Sequence, residues 1–128
     1  MDFNFTLETS KSINDVIQSL EKNLKEESFG VLWNLDMKKK LDEKGFNLEE
    51  EFCVLEVCNP KEAKKVIEMN KLVGYFLPCK IVVYKDKGTT KVGMPRPTAL
   101  IGLLENDELK VVADDIENRL IACLKNSI

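Results

Sequence analysis

The sequence has 128 residues, of which 44% are hydrophobic and 32% are charged, and its formal net charge is −3 at pH 7. This length suits a single domain spanning residues 1–128 with its own core, and the composition is that of a globular protein. The acidic balance argues against nucleic acid as a partner, because phosphate binding needs a clustered basic surface. No apolar run approaches the length of a membrane span, so we expect no membrane partner.

The residue types also limit the possible chemistry. Histidine is absent, which removes Ser–His and Cys–His nucleophile pairs, histidine metal ligation and imidazole acid–base catalysis within this chain. The stretch Met1-Asp-Phe-Asn-Phe5 lacks the basic start and apolar run of a secretory signal, so we expect a cytoplasmic protein. Its four cysteines are then expected as thiols. The sequence favours a non-enzymatic role and indicates no particular cofactor.

Hydrophobic periodicity predicts the elements of the N-terminal part. Phe3, Phe5 and Leu7 alternate with polar residues, as in a half-buried strand. The next elements are an amphipathic helix over about residues 12–26, a strand over 29–36 and a short helical turn over 37–44. A period of two places Trp33 on one face of its strand with Phe29 and Val31, and we interpret Trp33 as a core residue.

A strand over Phe52–Cys58 leads into the best-defined helix start of the sequence. Because side chains alternate along a strand, Cys53 and Cys58 point to opposite faces, with Cys53 in the core and Cys58 beside Glu56. Asn59 is then the N-cap of a helix over about residues 60–70, and Pro60 occupies its first position. Glu62 stands where a capping box requires it, and Ala63, Val66 and Ile67 are expected to face inward.

The remaining residues complete an α+β fold. They predict a strand over 80–85, a hairpin loop ending at Gly88, a strand over 89–94, a short apolar helix over 98–104 and a final helix ending near Lys125. The order β-α-β-(α)-β-α-β-β-α-α suits a two-layer sandwich with helices on one face of a five-stranded sheet. The other face would carry Phe52, Val54, Val82 and Tyr84, and an exposed apolar face of this kind predicts a homodimer or a ligand cleft.

Cys58 and Cys79 form the first candidate site. Cys58 precedes a helix N-cap, where the positive end of the helix lowers a thiol pKa. Cys79 opens the next strand, so the two thiols approach each other if those strands are neighbours. They would then serve as a redox pair or as ligands of a soft metal, with Glu56 on the same face as Cys58. The alternative is that both are structural, because free cysteine behaves as a small buried hydrophobe and no CxxC pattern is present.

Arg96 is a second candidate, because Pro95 and Pro97 hold it on a stiff loop where it could bind an anionic ligand. An ordinary surface arginine is the alternative. The candidate ligand-binding residues are therefore Glu56, Cys58, Asn59, Cys79 and Arg96, with no catalytic and no metal-ligating residue assigned. The favoured function is a dimeric, non-catalytic module that binds a small molecule. A thiol-dependent redox, sulfur-handling or soft-metal protein and a purely structural or interaction domain are the alternatives.

Several stretches together resemble a known family. They are Phe29-Gly-Val-Leu32, Glu56-Val-Cys-Asn-Pro-Lys-Glu-Ala63, Val73-Gly-Tyr-Phe-Leu-Pro-Cys79 and Ile81-Val-Val-Tyr84. This combination resembles domain-of-unknown-function family 302 over almost the whole chain. The resemblance implies a small α+β domain, often dimeric, with no established activity or cofactor. Its pattern carries over to Cys58, Asn59, Pro60, Gly74, Leu77, Pro78 and Cys79, and it gives none of them a chemical role.

Overall fold

One antiparallel sheet forms the centre of the structure, a computed structural model that describes residues 2–128. Its strands are β1 (Asn4–Thr9), β2 (Gly30–Asp36), β3 (Phe52–Cys58), β4 (Cys79–Asp86) and β5 (Thr89–Pro95). They are hydrogen-bonded in the order β1-β5-β4-β3-β2, so the sheet is open, with β1 and β2 at its edges. Met1, the first residue of the stretch in which no secretory signal is expected, lies outside the described residues.

Helices connect the strands and complete the predicted α+β sandwich. They are α1 (Ile13–Glu26), α2 (Met37–Glu43), α3 (Pro60–Met69), α4 (Pro97–Gly102) and α5 (Asp107–Lys125), with a 3-10 segment at Lys71–Tyr75. The predicted fold class is therefore confirmed, including the five-stranded sheet and the order of its elements. Within residues 2–128, no helix is both long enough and apolar enough to cross a membrane.

The long helices α1 and α5 pack against one face of the sheet. Their starts follow from sequence, because the side chains of Ser12 and Asn106 accept hydrogen bonds from the backbone N–H groups of Asp15 and Leu109. The apolar stripe of α1 is almost fully buried and includes Val16, with no exposed surface. Burying an aliphatic side chain of this kind contributes about 1.5–3 kcal/mol, which is why tertiary packing holds these helices.

The predicted start of α3 is confirmed at atomic detail. Asn59 Oδ1 accepts a hydrogen bond from the Glu62 backbone N–H at 3.2 Å, and Pro60 occupies the first turn. Val66 is buried as expected. The prediction that Ile67 faces inward was wrong, because 41% of its surface is exposed. Residues one position apart lie about 100° apart around a helix, so α3 packs inward through Val66 and Met69 while Ile67 is turned toward solvent.

The outer face of the sheet is the side away from α1 and α5. Its central side chains are Trp33, Val54, Glu56, Val82 and Tyr84, as the pairing of β2, β3 and β4 shows. The interpretation of Trp33 as a core residue was wrong, because 56% of its surface is exposed. The strand register shifts between Val31 and Trp33, so Val31 pairs with buried Val57 while Trp33 pairs with Glu56. One extra residue in a strand moves the following side chains to the opposite face.

The apolar interior consists of two clusters. The larger cluster lies between the sheet and helices α1 and α5, and it includes the predicted core residue Cys53. The smaller cluster contains Val66, Val73, Leu109 and Val112, from α3, the 3-10 segment and α5. Ile116 contacts both clusters from its position on α5. The end of the sheet near α3 and α4 therefore has a separate, smaller core, and that is where the candidate site lies.

Candidate functional site

An apolar cavity of about 400 Å³ lies between the two clusters. Val66 of α3 and Val73 of the 3-10 segment form one wall, and the start of β4 and the end of β5 form another. Helix α4 contributes Leu100 and Ile101, and α5 contributes the residues that face them. A cavity of this volume falls within the range of small-molecule pockets in proteins, which is about 300–1,000 Å³.

Carbon atoms form most of the cavity wall. Met94, Ala113 and Leu120 are buried side chains that line it, and the turn Phe76–Pro78 borders it at the start of β4. The Leu77–Pro78 peptide bond in this turn is cis. Tyr75, which is 85% exposed, also borders the cavity. A mostly apolar cavity has few polar groups to hold ordered water, and such cavities accept apolar molecules instead.

Cys79 is the predicted site residue that lines this cavity. It pairs with Val57 across β3 and β4, which places it on the helix-covered face. Burial raises the pKa of the Cys79 thiol to about 11, and the negative charges of Cys58 and Glu56 add to the shift. At neutral pH this group is a neutral thiol, so it contributes weakly polar, polarisable surface to the cavity.

Cys58 and Glu56 lie on the other side of the sheet. Strands β3 and β4 are neighbours, as the thiol-pair hypothesis required. Cys79 shares a face with Val57, so Cys58, the next residue, belongs to the outer face with Glu56. Glu56 forms an ion pair with Lys80 directly across the strands. The register therefore directs the two thiols to opposite faces of adjacent strands, which does not favour a dithiol–disulfide pair or a shared metal.

The predicted lowering of the Cys58 pKa was wrong, because burial raises the pKa of this thiol instead. The thiol lies on the outer face, whereas α3 packs against α5 on the covered face. The positive end of α3 is therefore not directed at the sulfur. One free donor of that helix end, the Glu62 backbone N–H, is already bound by Asn59.

The other two predicted site residues are engaged within the chain. Asn59 is 6% exposed, and besides capping α3 its Nδ2 donates to the Glu27 carbonyl at 3.4 Å. Arg96 donates from Nε to the Asn4 carbonyl and from Nη1 to Glu117 Oε2, at 3.2 and 3.4 Å. Its guanidinium also lies 5.5 Å from the centre of the Phe5 ring. These contacts give both residues a positioning role rather than an open binding surface.

Comparison with known proteins identifies the family. The family model "Domain of unknown function DUF302" matches residues 5–127. The chain belongs to the DUF302 family. It is similar to an uncharacterised conserved DUF302 protein from Bacillus stearothermophilus whose crystal structure is known, at 50% sequence identity and a TM-score of 0.96. That alignment covers 100% of both chains. No curated protein matches this sequence.

The DUF302 domain contains functional candidates that the sequence did not indicate. They are the cavity-lining residues Ile101, Ala113 and Ile116 and the buried carboxylate of Glu117. Ile101, Ala113 and Ile116 follow the hydrophobic pattern of ordinary core residues, and their spacing in the sequence does not indicate that a cavity lies between them. The one available signal was Glu117, a charged residue one position after Ile116 on the inward side of α5. Within residues 2–128, no group of three or more Cys, Asp or Glu side chains is arranged to hold a metal ion.

Proposed function

We propose that this DUF302 domain is a non-catalytic module that binds a small, uncharged, apolar molecule in the cavity beside Cys79. The observation that carries the proposal is the apolar cavity of about 400 Å³ between the two core clusters. Side chains that face an open space lack the contacts that a packed interior supplies, and mostly apolar clefts of this size are the usual form of small-molecule sites in proteins. A bound apolar molecule would restore the missing contacts.

The chemistry of the wall defines the class of ligand. Burying a charge costs several kcal/mol unless an opposite charge receives it. Lys80, the charged residue in the cavity lining, pairs with Glu56, and Arg96, which lies between the lining residues Pro95 and Pro97, pairs with Glu117. A hydrocarbon or aromatic molecule, or the apolar part of a larger neutral molecule, fits this wall. The neutral thiol of Cys79 gives the cavity a polarisable spot suited to an aromatic ring.

Binding of a fluorescent apolar probe tests this function. N-phenyl-1-naphthylamine, a neutral dye that brightens in apolar surroundings, should bind the wild-type protein with saturable fluorescence. Ala113→Leu adds a side chain that fills part of the cavity and should weaken binding at least about tenfold. Ala122→Leu adds the same atoms at an exposed position on the same helix and should leave binding unchanged. Absent binding, or equal binding by all three proteins, would refute the proposal.

We also propose that the module is a homodimer that associates through the outer face of the sheet. The face combines exposed Trp33 with partly exposed Val54, Val82 and Tyr84, an apolar surface of the kind that proteins use for association. Glu56 Oε2 is buried there and has no hydrogen-bond partner among residues 2–128. The indole N–H of Trp33 and the hydroxyl of Tyr84 are donors on the same face. In a two-fold dimer the same surface of both copies forms the interface, so that surface must supply both hydrogen-bond donors and hydrogen-bond acceptors.

Sedimentation equilibrium at micromolar concentration tests the dimer. The wild-type protein should sediment as a dimer, and Val54→Lys should sediment as a monomer because it places a charge at the centre of the outer face. Leu103→Lys is the matched control, since Leu103 is 73% exposed and follows α4. A monomeric wild-type protein, or a Val54→Lys variant that remains dimeric, would contradict the proposed interface.

A further inference from the structure

We propose that α4 is a lid over the apolar cavity and that Glu117 is the latch that holds it shut. This inference rests on the proposed function, because it describes how a ligand reaches that cavity. The lid is the helix Pro97–Gly102, and Pro97, Leu100 and Ile101 line the cavity from it. A ligand that enters beneath α4, rather than past exposed Tyr75, must displace this helix.

The lid is weakly integrated into the core. No residue of α4 is fully buried, whereas its neighbour α5 contains seven buried residues. Helix α4 packs mainly against α5. It is followed by exposed Leu103 and by Glu105, whose φ of 52° lies in the left-handed region. Short segments with few buried apolar contacts are the ones that open locally at low cost.

The latch consists of three hydrogen bonds to one carboxylate. Arg96, the N-cap residue of α4, makes no side-chain capping bond, so the first turn of the helix is capped from α5 instead. Glu117 Oε1 accepts from the Thr98 backbone N–H at 3.1 Å and from the Thr98 hydroxyl at 2.7 Å. Glu117 Oε2 accepts from Arg96 Nη1 at 3.4 Å. These bonds join the start of α4 to one side chain of α5.

The burial of Glu117 strengthens its hydrogen bonds to α4 while the lid is closed, and water can replace these bonds when the lid opens. The residue is 7% exposed, so an unpaired carboxylate there would be costly while the lid stays closed. Opening α4 exposes the carboxylate to water, which replaces the lost partners. The closed state is therefore favoured by the bonds of Glu117, and the open state carries no buried unpaired charge. Weakening the latch should raise the population of the open state.

Probe-binding kinetics test the lid. Stopped-flow mixing with N-phenyl-1-naphthylamine should show faster association and faster dissociation in Thr98→Val, each by about tenfold, because the variant loses a hydrogen bond to a charged group. The dissociation constant should change less than either rate. Thr98→Ser keeps the hydroxyl and should behave as the wild type. Ser127→Ala removes a buried hydroxyl at the far end of α5, which donates to Cys123, and should change neither rate.

Hydrogen exchange of amides in α4 and in the turn that follows it tests the same lid without a ligand. The Leu100 and Leu104 amides, bonded to the carbonyls of Arg96 and Ile101, should exchange about tenfold faster in Thr98→Val, while amides of α5 should not. If the wild-type protein binds no probe but this exchange pattern appears, the proposed lid is supported and the proposed binding function is refuted. If the wild type binds the probe and Thr98→Val changes neither rates nor exchange, the lid is refuted and the binding function stands.

Discussion

Asn59 shows how one residue determines both a helix start and a contact between elements. Its Oδ1 caps α3, and its Nδ2 donates to the carbonyl of Glu27 just beyond α1. Only the first of these roles follows from the sequence, because the capping partner Glu62 is local. The second partner is distant along the chain, and no local pattern indicates it. A residue predicted to bind a ligand is in this case fully used by the fold.

Replacing Asn59 should therefore lower stability by more than a lost cap alone. Asn59→Ala removes both hydrogen bonds and should reduce the free energy of unfolding by about 2 kcal/mol. Asn59→Asp keeps the acceptor for the Glu62 N–H but cannot donate to Glu27, and it should have an intermediate effect. Urea denaturation followed by circular dichroism measures both. An Ala variant as stable as the wild type would contradict this assignment.

The thiol of Cys79 should behave as an unreactive group. Its pKa is raised by burial to about 11, so the thiolate is scarce at neutral pH. The alkylation rate of Cys79 by iodoacetamide should remain far below that of a cysteine peptide at pH 7 and rise mainly between pH 9 and 11. Tryptic mass mapping separates Cys79 from Cys58, since lysines lie between them. Rapid alkylation at pH 7 would support the redox alternative instead.

The same shift links Cys79 to stability at high pH. The folded-state pKa lies above the ordinary thiol value of 9.0, so the native state holds this proton more tightly than the unfolded chain. The associated stability is fully present below pH 9 and is lost as pH rises toward 11. Cys79→Ala should flatten that part of the pH dependence of the urea midpoint. An unchanged slope in the variant would contradict the buried position of the thiol.

At the scale of elements, Arg119 joins three helices. Its Nη2 donates to the Glu27 carbonyl at 2.7 Å, and Nη1 lies 3.8 Å from Glu62 Oε1 near the start of α3. The guanidinium also stacks 5.3 Å from the centre of the Phe29 ring. The planar guanidinium group of arginine can make these contacts at the same time, whereas the ammonium group of lysine lacks the geometry to do so. Arg119 of α5 thereby positions the end of α1 and the start of α3.

Arg119→Lys should consequently destabilise the fold although it preserves the charge. We expect a loss of about 1–2 kcal/mol in the free energy of unfolding, because the bond to Glu27 and the ring contact are lost. Lys110→Arg on the same helix is a control at an exposed position. The double variant with Asn59→Ala should show coupling, since both side chains donate to the same carbonyl. Strict additivity of the two effects would contradict a shared junction.

The elements also show which features a sequence can predict. The bounds of α1, α3 and α5 follow from local caps and apolar stripes, and the structure confirms them. The position of Trp33 does not follow, because the irregularity in β2 depends on pairing with β3. The faces of Cys58 and Cys79 depend in the same way on a register that is set between distant strands. A shift of one residue would reverse the assignment.

At the scale of the whole molecule, the cavity is a property of packing between distant segments. Its walls come from α3, the 3-10 segment, β4, β5, α4 and α5, and most of the side chains that line it are apolar residues of an ordinary kind. No motif marks such a space, because it arises from the fit between elements rather than from their composition. A ligand-binding module therefore remains the proposed function. The proposed site is the cavity on one side of the sheet rather than the Cys58–Cys79 pair.

Titration with an apolar molecule, followed by methyl NMR, tests the central claim most directly. Naphthalene added to the methyl-labelled protein should shift the resonances of Val66, Ile101 and Ile116, which line the cavity. Val54 and Val82 on the outer face should keep their positions. Saturable shifts confined to the cavity residues are the predicted result. Shifts confined to the outer face, or none at any naphthalene concentration that water will dissolve, would contradict the account.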